Sequence, residues 1–337
     1  MEKHNIGLTT PEISSLWKTY IQQTATLCVI KHFIQHVQDL EIRPILEEQE
    51  SFLQSFIERA KIIFNEEHFP IPKGFSNDDL NLSAPALFTD LYGLSFVYRL
   101  NQMNLSDYAT IVTKVARQDV VAYFYDCMES TAKIYKKSLD LMLLMLSKGV
   151  YDRPPKISYP SNVEFIKKKD SLFDTLLHDP RPLNAFELGE IFYIIERNYI
   201  GVLLLMGFIQ VTKDKEIKKF LIDGKNLAQK QIDIFNKILK EEEHLGNIPV
   251  SLEVTDSTIS PFSDSLIMFF IATTITTGIY LASYALSASM RKDLAAHYIS
   301  IIIDIMKYGE EGLKIMVNRG WMEQPPQAFD RVALLKE

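Results

Sequence analysis

Eight residues have the types and spacing to do chemistry. Glu12, His68, Asp90 and Asp152 recur, in the same order, as Glu187, His244, Asp264 and Glu323. One imidazole with two or three carboxylates is a competent ligand set for iron, manganese or zinc. If each set met at one end of a helical bundle, Glu12, His68 and Asp90 would hold one metal ion. Glu187, His244 and Asp264 would hold a second. The same residues have a structural reading. Glu12 and Glu187 complete capping boxes, Thr9-x-x-Glu12 and Asn184-x-x-Glu187. Asp90 and Asp264 fall in first helical turns, and the two histidines fall at helix ends, where the helix dipole favours each.

Other constellations are weaker. Glu241-x-x-His244 matches half of a di-metal carboxylate motif, but its counterpart reads Asn65-x-x-His68 and lacks the acid. His32 and His36 share a helical face with the spacing to bind a transition metal, but Gly207 and Val211 at the matching places favour a surface pair. Cys28 and Cys127 lie in apolar stretches and read as inert core thiols. Arg117-x-Asp119 and Arg291-x-Asp293 read as ion pairs or inter-helix locks. There is no Ser-His-Asp pattern, phosphate-binding glycine loop or dinucleotide fingerprint.

These residues recur because the chain is duplicated. FIQHVQDLEIRPIL (33–46) and FIQVTKDKEIKKFL (208–221) share seven of fourteen positions at an offset of 175. The pairs FTD/FSD, the two R-x-D pairs and KGVYDRPP/RGWMEQPP keep the same order. Two homologous units follow: residues 1–160, then 161–337 with a connector that carries prolines, the basic run Lys167–Lys169 and room for one short helix.

Each unit reads as four helices, so the fold class is all-α: two tandem up-down-up-down four-helix bundles of ferritin-like type. Ile13, Leu16, Trp17, Tyr20, Thr24, Leu27 and Ile34 follow helical spacing. A second helix stops before Pro70-Ile71-Pro72, and a third begins near Pro85. The repeat sets a turn just before Arg117 and a kink near Asn104. Short connections imply antiparallel neighbours.

The 337 residues are 47% apolar and 23% charged, with a net charge of −7 and two cysteines. These values fit a globular chain, give no electrostatic basis for nucleic-acid binding and exclude a disulfide scaffold. The first residues, MEKHNIGLTTPE, contain no apolar signal segment. Ser265 to Met290 carries no formal charge and is long enough to span a bilayer. Its threonines and serines favour a core helix buried on most sides, with Thr273, Thr276 and Thr277 inside the protein. In Gly320-Trp321-Met322-Glu323-Gln324-Pro325-Pro326, the glycine suits a helix C′ position, and Trp321 and Met322 are expected to fold back as a lock.

PIPKGF at Pro70, FTD and FSD, the R-x-D pairs, RPLNAFE at Arg181, TISPFSD at Thr258 and GWMEQPP at Gly320 form a set that resembles a known family. It is an uncharacterised family of Bacillus and relatives, made of two ferritin-like four-helix repeats and distantly similar to spore coat protein F. The resemblance spans Leu8 to Arg331. It implies a duplicated helical bundle in a spore-former, in the cytoplasm or with the spore, with protein partners there. It raises the question of metal and carries over no catalytic residue. Three roles are consistent with the sequence: a non-enzymatic structural or spore-associated protein, a metal-binding storage or redox protein, and a membrane-associated one.

Overall fold

The computed structural model describes residues 6–146, 157, 160–163, 165, 181–242, 254–331 and 335. His244, Asp152 and nearly all of the connector lie outside these residues. Eight α-helices are present among the described residues, with one isolated bridge between Phe88 and Val254 and no regular strand. The first repeat contains α1 (Thr10–His36), α2 (Arg43–Glu66), α3 (Asp90–Val112) and α4 (Gln118–Leu146). The second contains α5 (Ala185–Val211), α6 (Lys215–Glu241), α7 (Asp264–Ala288) and α8 (Lys292–Asn318). The α3–α4 turn falls where the repeat placed it, and α3 runs unbroken through Asn104.

The all-α duplicated architecture matches the sequence reading, but the direction of each third helix does not. The side chain of Asp90, at the start of α3, accepts hydrogen bonds from the N–H groups of Gln38 (2.9 Å) and Asp39 (2.8 Å), beyond the end of α1. Lys18 near the start of α1 pairs with Asp107 near the end of α3. Thus α1 and α3 are antiparallel, α2 and α3 run the same way, and the order is up-down-down-up. The physical reason is length. Residues 67–89 are enough chain to travel back along the bundle, so α3 begins at the far end. On its way this crossover packs on α1: Cys28 donates to the Ser76 carbonyl (3.3 Å). Gly74, at φ +58°, sits against Thr24 and Tyr20, where a side chain would collide with the Thr24 hydroxyl at 2.6 Å.

Two compact units result. The first comprises Met1–Leu82, Asp90–Met142 and Gly320–Glu337; the second comprises Ser83–Thr89 and Leu143–Arg319. Each is built mainly on one repeat and takes a short segment from the other. In the second unit, Thr255 donates its N–H to Leu87 O (3.0 Å) and its hydroxyl to Ala86 O (2.6 Å). The Phe88 ring fills the place where a Gly207 side chain would be, 2.7 Å from an added Cβ.

The cores differ in chemistry. The second unit is mostly apolar at its centre, with Ile191, Ile195, Ile232, Phe235, Tyr298 and Ile301 buried together. The first buries amides and phenols: Tyr123 donates to Gln23 Oε1 (3.1 Å), and Asn101 donates to Gln49 Oε1 (2.7 Å). In the second unit Tyr308 stacks flat on Phe220 (centroids 4.3 Å apart) and donates to its carbonyl at 3.1 Å. A methyl added at Gly224 would lie 2.2 Å from that hydroxyl oxygen, whereas one added at Gly201 would meet nothing within 4 Å. Both glycines are in helix interiors, where alanine gains about 1 kcal/mol. Overpacking of about 1–3 kcal/mol outweighs that gain at Gly224. We therefore expect Gly224→Ala to lower, and Gly201→Ala to raise, the urea midpoint of unfolding.

The helix α5 is covered on most sides, from Glu190 through Val211. α7 is not: Thr276, Tyr280, Ser283, Tyr284 and Ser287 are exposed. This corrects the expectation that α7 is buried on most sides. Its threonine hydroxyls bond along the helix, Thr273 to Phe270 O (2.7 Å) and Thr276 to Ala272 O (3.2 Å), but Thr276 faces outward. By length and composition α5 and α7 could each cross a membrane.

Candidate functional site

The structure gathers the polar residues into a repeated network at one end of each bundle. Glu12 is buried and accepts four hydrogen bonds. Oε2 takes the Thr9 N–H and hydroxyl (both 2.7 Å), and Oε1 takes the N–H groups of Ala116 (3.0 Å) and Arg117 (2.8 Å). The capping carboxylate therefore also ties the start of α1 to the start of α4. Burial pushes its pKa up, but the N–H groups of Thr9, Arg117 and Ala116 and the Thr9 hydroxyl outweigh it and bring the value down to about 2. Arg117 then grips Asp119 with two nitrogens (2.8 and 2.7 Å) and reaches Glu67 at the end of α2.

The second repeat reproduces this with different donors. Buried Glu187 accepts from Asn184 N (3.1 Å), Met290 N (3.1 Å) and both terminal nitrogens of Arg181 (2.9 and 2.8 Å). Burial raises its pKa, and Arg181 with the two N–H groups lowers it further than burial raises it. Arg291, with its side chain only 2% exposed, holds Asp293 through two bonds (3.1 and 2.7 Å), Glu242, and the Arg181 carbonyl (3.0 Å). The R-x-D pairs are helix-start ion pairs, and through Glu67 and Glu242 their arginines are inter-helix locks as well. Glu67 and Glu242, their partners, have no motif around them and were missed. A signal existed in their recurrence at the repeat offset of 175.

The residues proposed from sequence as metal ligands do not meet. Glu12 lies at one end of α1 and Asp90 at the other, roughly 36 Å apart for 24 residues at 1.5 Å each. Glu187 is separated from Asp264 in the same way: Asp264 lies near Asp214 and Arg319, beyond the far end of α5. Burial and Asp214 raise the Asp264 pKa. The misplacement follows from the long crossovers, which the sequence reading took as returning directly. His68 does share an end with Glu12, but it is exposed and has another role. At φ 53° it is the C′ residue of α2. Its N–H bonds Asn65 O (3.1 Å), the N–H of Phe69 bonds Phe64 O (2.9 Å), and the two phenyl rings stack. This is a Schellman cap, whose left-handed position normally belongs to glycine. His68→Gly should raise stability by about 1 kcal/mol, read as a higher denaturant midpoint.

Among the described residues no three His, Cys, Asp or Glu side chains come together as a metal set. The mid-bundle di-metal pattern does not fit either. In the first unit that level holds Gln23, Tyr108, Tyr123 and Asn101, already bonded to each other or to backbone. In the second, Asn198 stands at the place of Gln23 and donates to the Ile194 carbonyl (2.9 Å), and Gln231 is buried. His32 and His36 are not a surface pair: His32 is buried, its ring 4.8 Å from that of His36. Burial, and then His36, lower the His32 pKa to about 4. The cysteines are core thiols as expected, with pKa values raised by burial to about 11 and about 12.

At the C-terminal end Trp321 is half-buried, and Glu323 adds a contact that the expected lock did not include. Gly320 is the C′ glycine at φ +66°. Met322 is exposed. Glu323 holds the tail to the first unit by accepting from Lys73 N (3.0 Å) and Gly74 N (2.8 Å). Each charge-assisted bond contributes about 1.5–3 kcal/mol at most. Glu323→Ala should thus leave the bundle folded but speed proteolysis within residues 321–331, seen by mass spectrometry of a limited digest.

No curated protein matches the chain. A crystallised Bacillus halodurans chain, described as a candidate spore coat protein, is similar at 20% identity with a TM-score of 0.42; the match covers 44% of this chain and 98% of that one. The family described as "Protein of unknown function (DUF3231)" matches residues 1–163 and again 173–334. The chain is therefore a member of that family, with the family's unit present twice.

Proposed function

We propose that the protein is a structural bundle protein, without an enzymatic site, that serves in or around the spore of a spore-forming bacterium. One observation carries the structural part. In both repeats the buried carboxylate and the arginine that could do chemistry are already taken up: Glu12 by backbone N–H groups and the Thr9 hydroxyl, Glu187 by backbone N–H groups and Arg181, and Arg117 and Arg291 by two carboxylates each. A catalytic carboxylate needs room for a substrate atom, and these have none. The helix order, with one long crossover between the second and third helices, has the connectivity of ferritin-like bundles. We read the protein as ferritin-like in connectivity and not in metal chemistry, because the inward carboxylates of that chemistry are not at mid-bundle. The net charge of −7 supports protein partners over nucleic acid.

The spore setting rests on the motif resemblance from PIPKGF to GWMEQPP. Immunoblotting of coat extracts, spore cores and vegetative lysates of the source bacterium tests it. Enrichment in the spore fractions is the expected result. Equal abundance in vegetative cells would remove the spore role. Elemental analysis of tag-free protein tests the structural role: stoichiometric iron, manganese or zinc would overturn it.

A further inference from the structure

The outer side of α8 carries an apolar stripe that the bundle does not use. Ala296, Ile299, Ile303, Met306, Leu313 and Val317 are all exposed, and the five larger ones are 46–58% exposed. With Glu310 they fall at spacings of 3, 4, 3, 4, 3 and 4, the a/d register of a helix that packs against another helix. Glu310, the polar member, pairs with Lys314 one turn on. The bundle core uses a separate set on the same helix: Leu294, Tyr298, Ile301, Ile305 and Met316. Beside the stripe, α7 has an outer face of exposed Thr276, Tyr280, Ser283 and Tyr284, and no formal charge from Ser265 to Met290.

The duplication supplies an internal comparison. At the R-x-D offset of 174, the stripe positions of α4 are Ala122, Tyr125, Glu129, Ala132, Lys136, Leu139 and Leu143. Exposed Glu129 stands where α8 has Ile303, and Lys136, engaged by Asp140, stands where α8 has Glu310. Both repeats fold into the same bundle, so folding does not require an apolar side chain at the Ile303 position.

We propose that the outer face of α7 and α8 is a homodimer interface, in which a second copy of this chain packs its α8 antiparallel on the first about a two-fold axis. The available area fits a second copy. α8 is roughly 40 Å long, and two adjacent helices present roughly 20 Å of width, or about 800 Å² per partner, the standard size of a specific interface. A lipid surface fits less well. The face carries lysines and acids together and so has no cationic excess for anionic headgroups, and the exposed α7 side chains Thr276, Tyr280, Ser283 and Tyr284 are polar.

Sedimentation equilibrium of the full chain at micromolar concentrations is the test. The unmodified protein should be a dimer. Ile303→Glu with Met306→Glu should weaken association at least about 100-fold, as expected of a central hot spot, with the circular dichroism melt unchanged because both side chains are half-exposed in the protomer. Should that variant lose helicity, Leu313→Lys, toward the other end of the stripe, takes its place with the same readout. A monomeric unmodified protein up to about 100 µM would overturn the proposal, as would a dimer that survives the substitutions. Flotation of the monomer with phosphatidylglycerol–phosphatidylethanolamine vesicles would overturn it and assign the face to lipid.

Discussion

Replacing Arg291 by alanine is expected to destabilise the second unit by about 3–5 kcal/mol, the usual loss when one member of a buried ionic set is removed. The side chains of Glu242 and Asp293 are 14% and 27% exposed, so they would keep their charge with little water to replace the guanidinium. The first repeat provides the control. Arg117 makes the matching contacts, but its partner Asp119 is 45% exposed. Water can hydrate that carboxylate once the arginine is gone, so Arg117→Ala should cost only about 1–2 kcal/mol. Urea unfolding of both variants at neutral pH checks the pair. With two units, the two transitions must be followed separately rather than fitted as one. Equal, small losses at the two sites would mean that burial does not set the strength of these locks.

The repeat made most of the fold legible. Its collinear segments place all eight helices, and the capping boxes at Thr9 and Asn184 begin α1 and α5 as read. Gly320 ends α8 as a C′ glycine should. What could not be read was helix direction. A stretch such as 67–89 either returns directly or crosses the bundle, and periodicity within helices is silent on which. That one ambiguity moved Asp90 and Asp264 to the wrong end and with them the proposed metal site.

The misreadings of His32 and α7 also come from tertiary context. His32 was read from the polarity of imidazole, yet α1 is buried on most sides and takes His32 with it. α7 was read from its lack of charge, which describes a core helix and an exposed hydroxyl-rich face equally well. The exchange of Ser83–Thr89 and Gly320–Glu337 between repeats leaves no periodic trace at all. Its one clue is the small residue at Gly207, opposite His32 in the alignment, where Phe88 enters.

Acid should unfold the first unit through Glu12. Its carboxyl titrates at about 2 in the folded protein against 4.5 ordinarily. The folded value is depressed, so the unfolded chain binds the proton more readily, and protonation favours unfolding. The contribution is complete above about pH 4.5 and is lost as pH falls from there to about 2. A difference of 2.5 pH units corresponds to about 3 kcal/mol. Glu12→Gln removes the titration while nearly keeping the shape. At pH 7 the variant should be less stable by up to about 3 kcal/mol, because an amide accepts on one atom where the carboxylate accepts on two. Between pH 4.5 and 2 its stability should fall less steeply than that of the unmodified protein, until the two converge near pH 2. Glu187, in the other repeat, is untouched by the substitution, so its own loss in acid persists in both proteins and serves as an internal reference. Parallel acid limbs for the variant and the unmodified protein would show that the four hydrogen bonds on Glu12 do not favour its charged form.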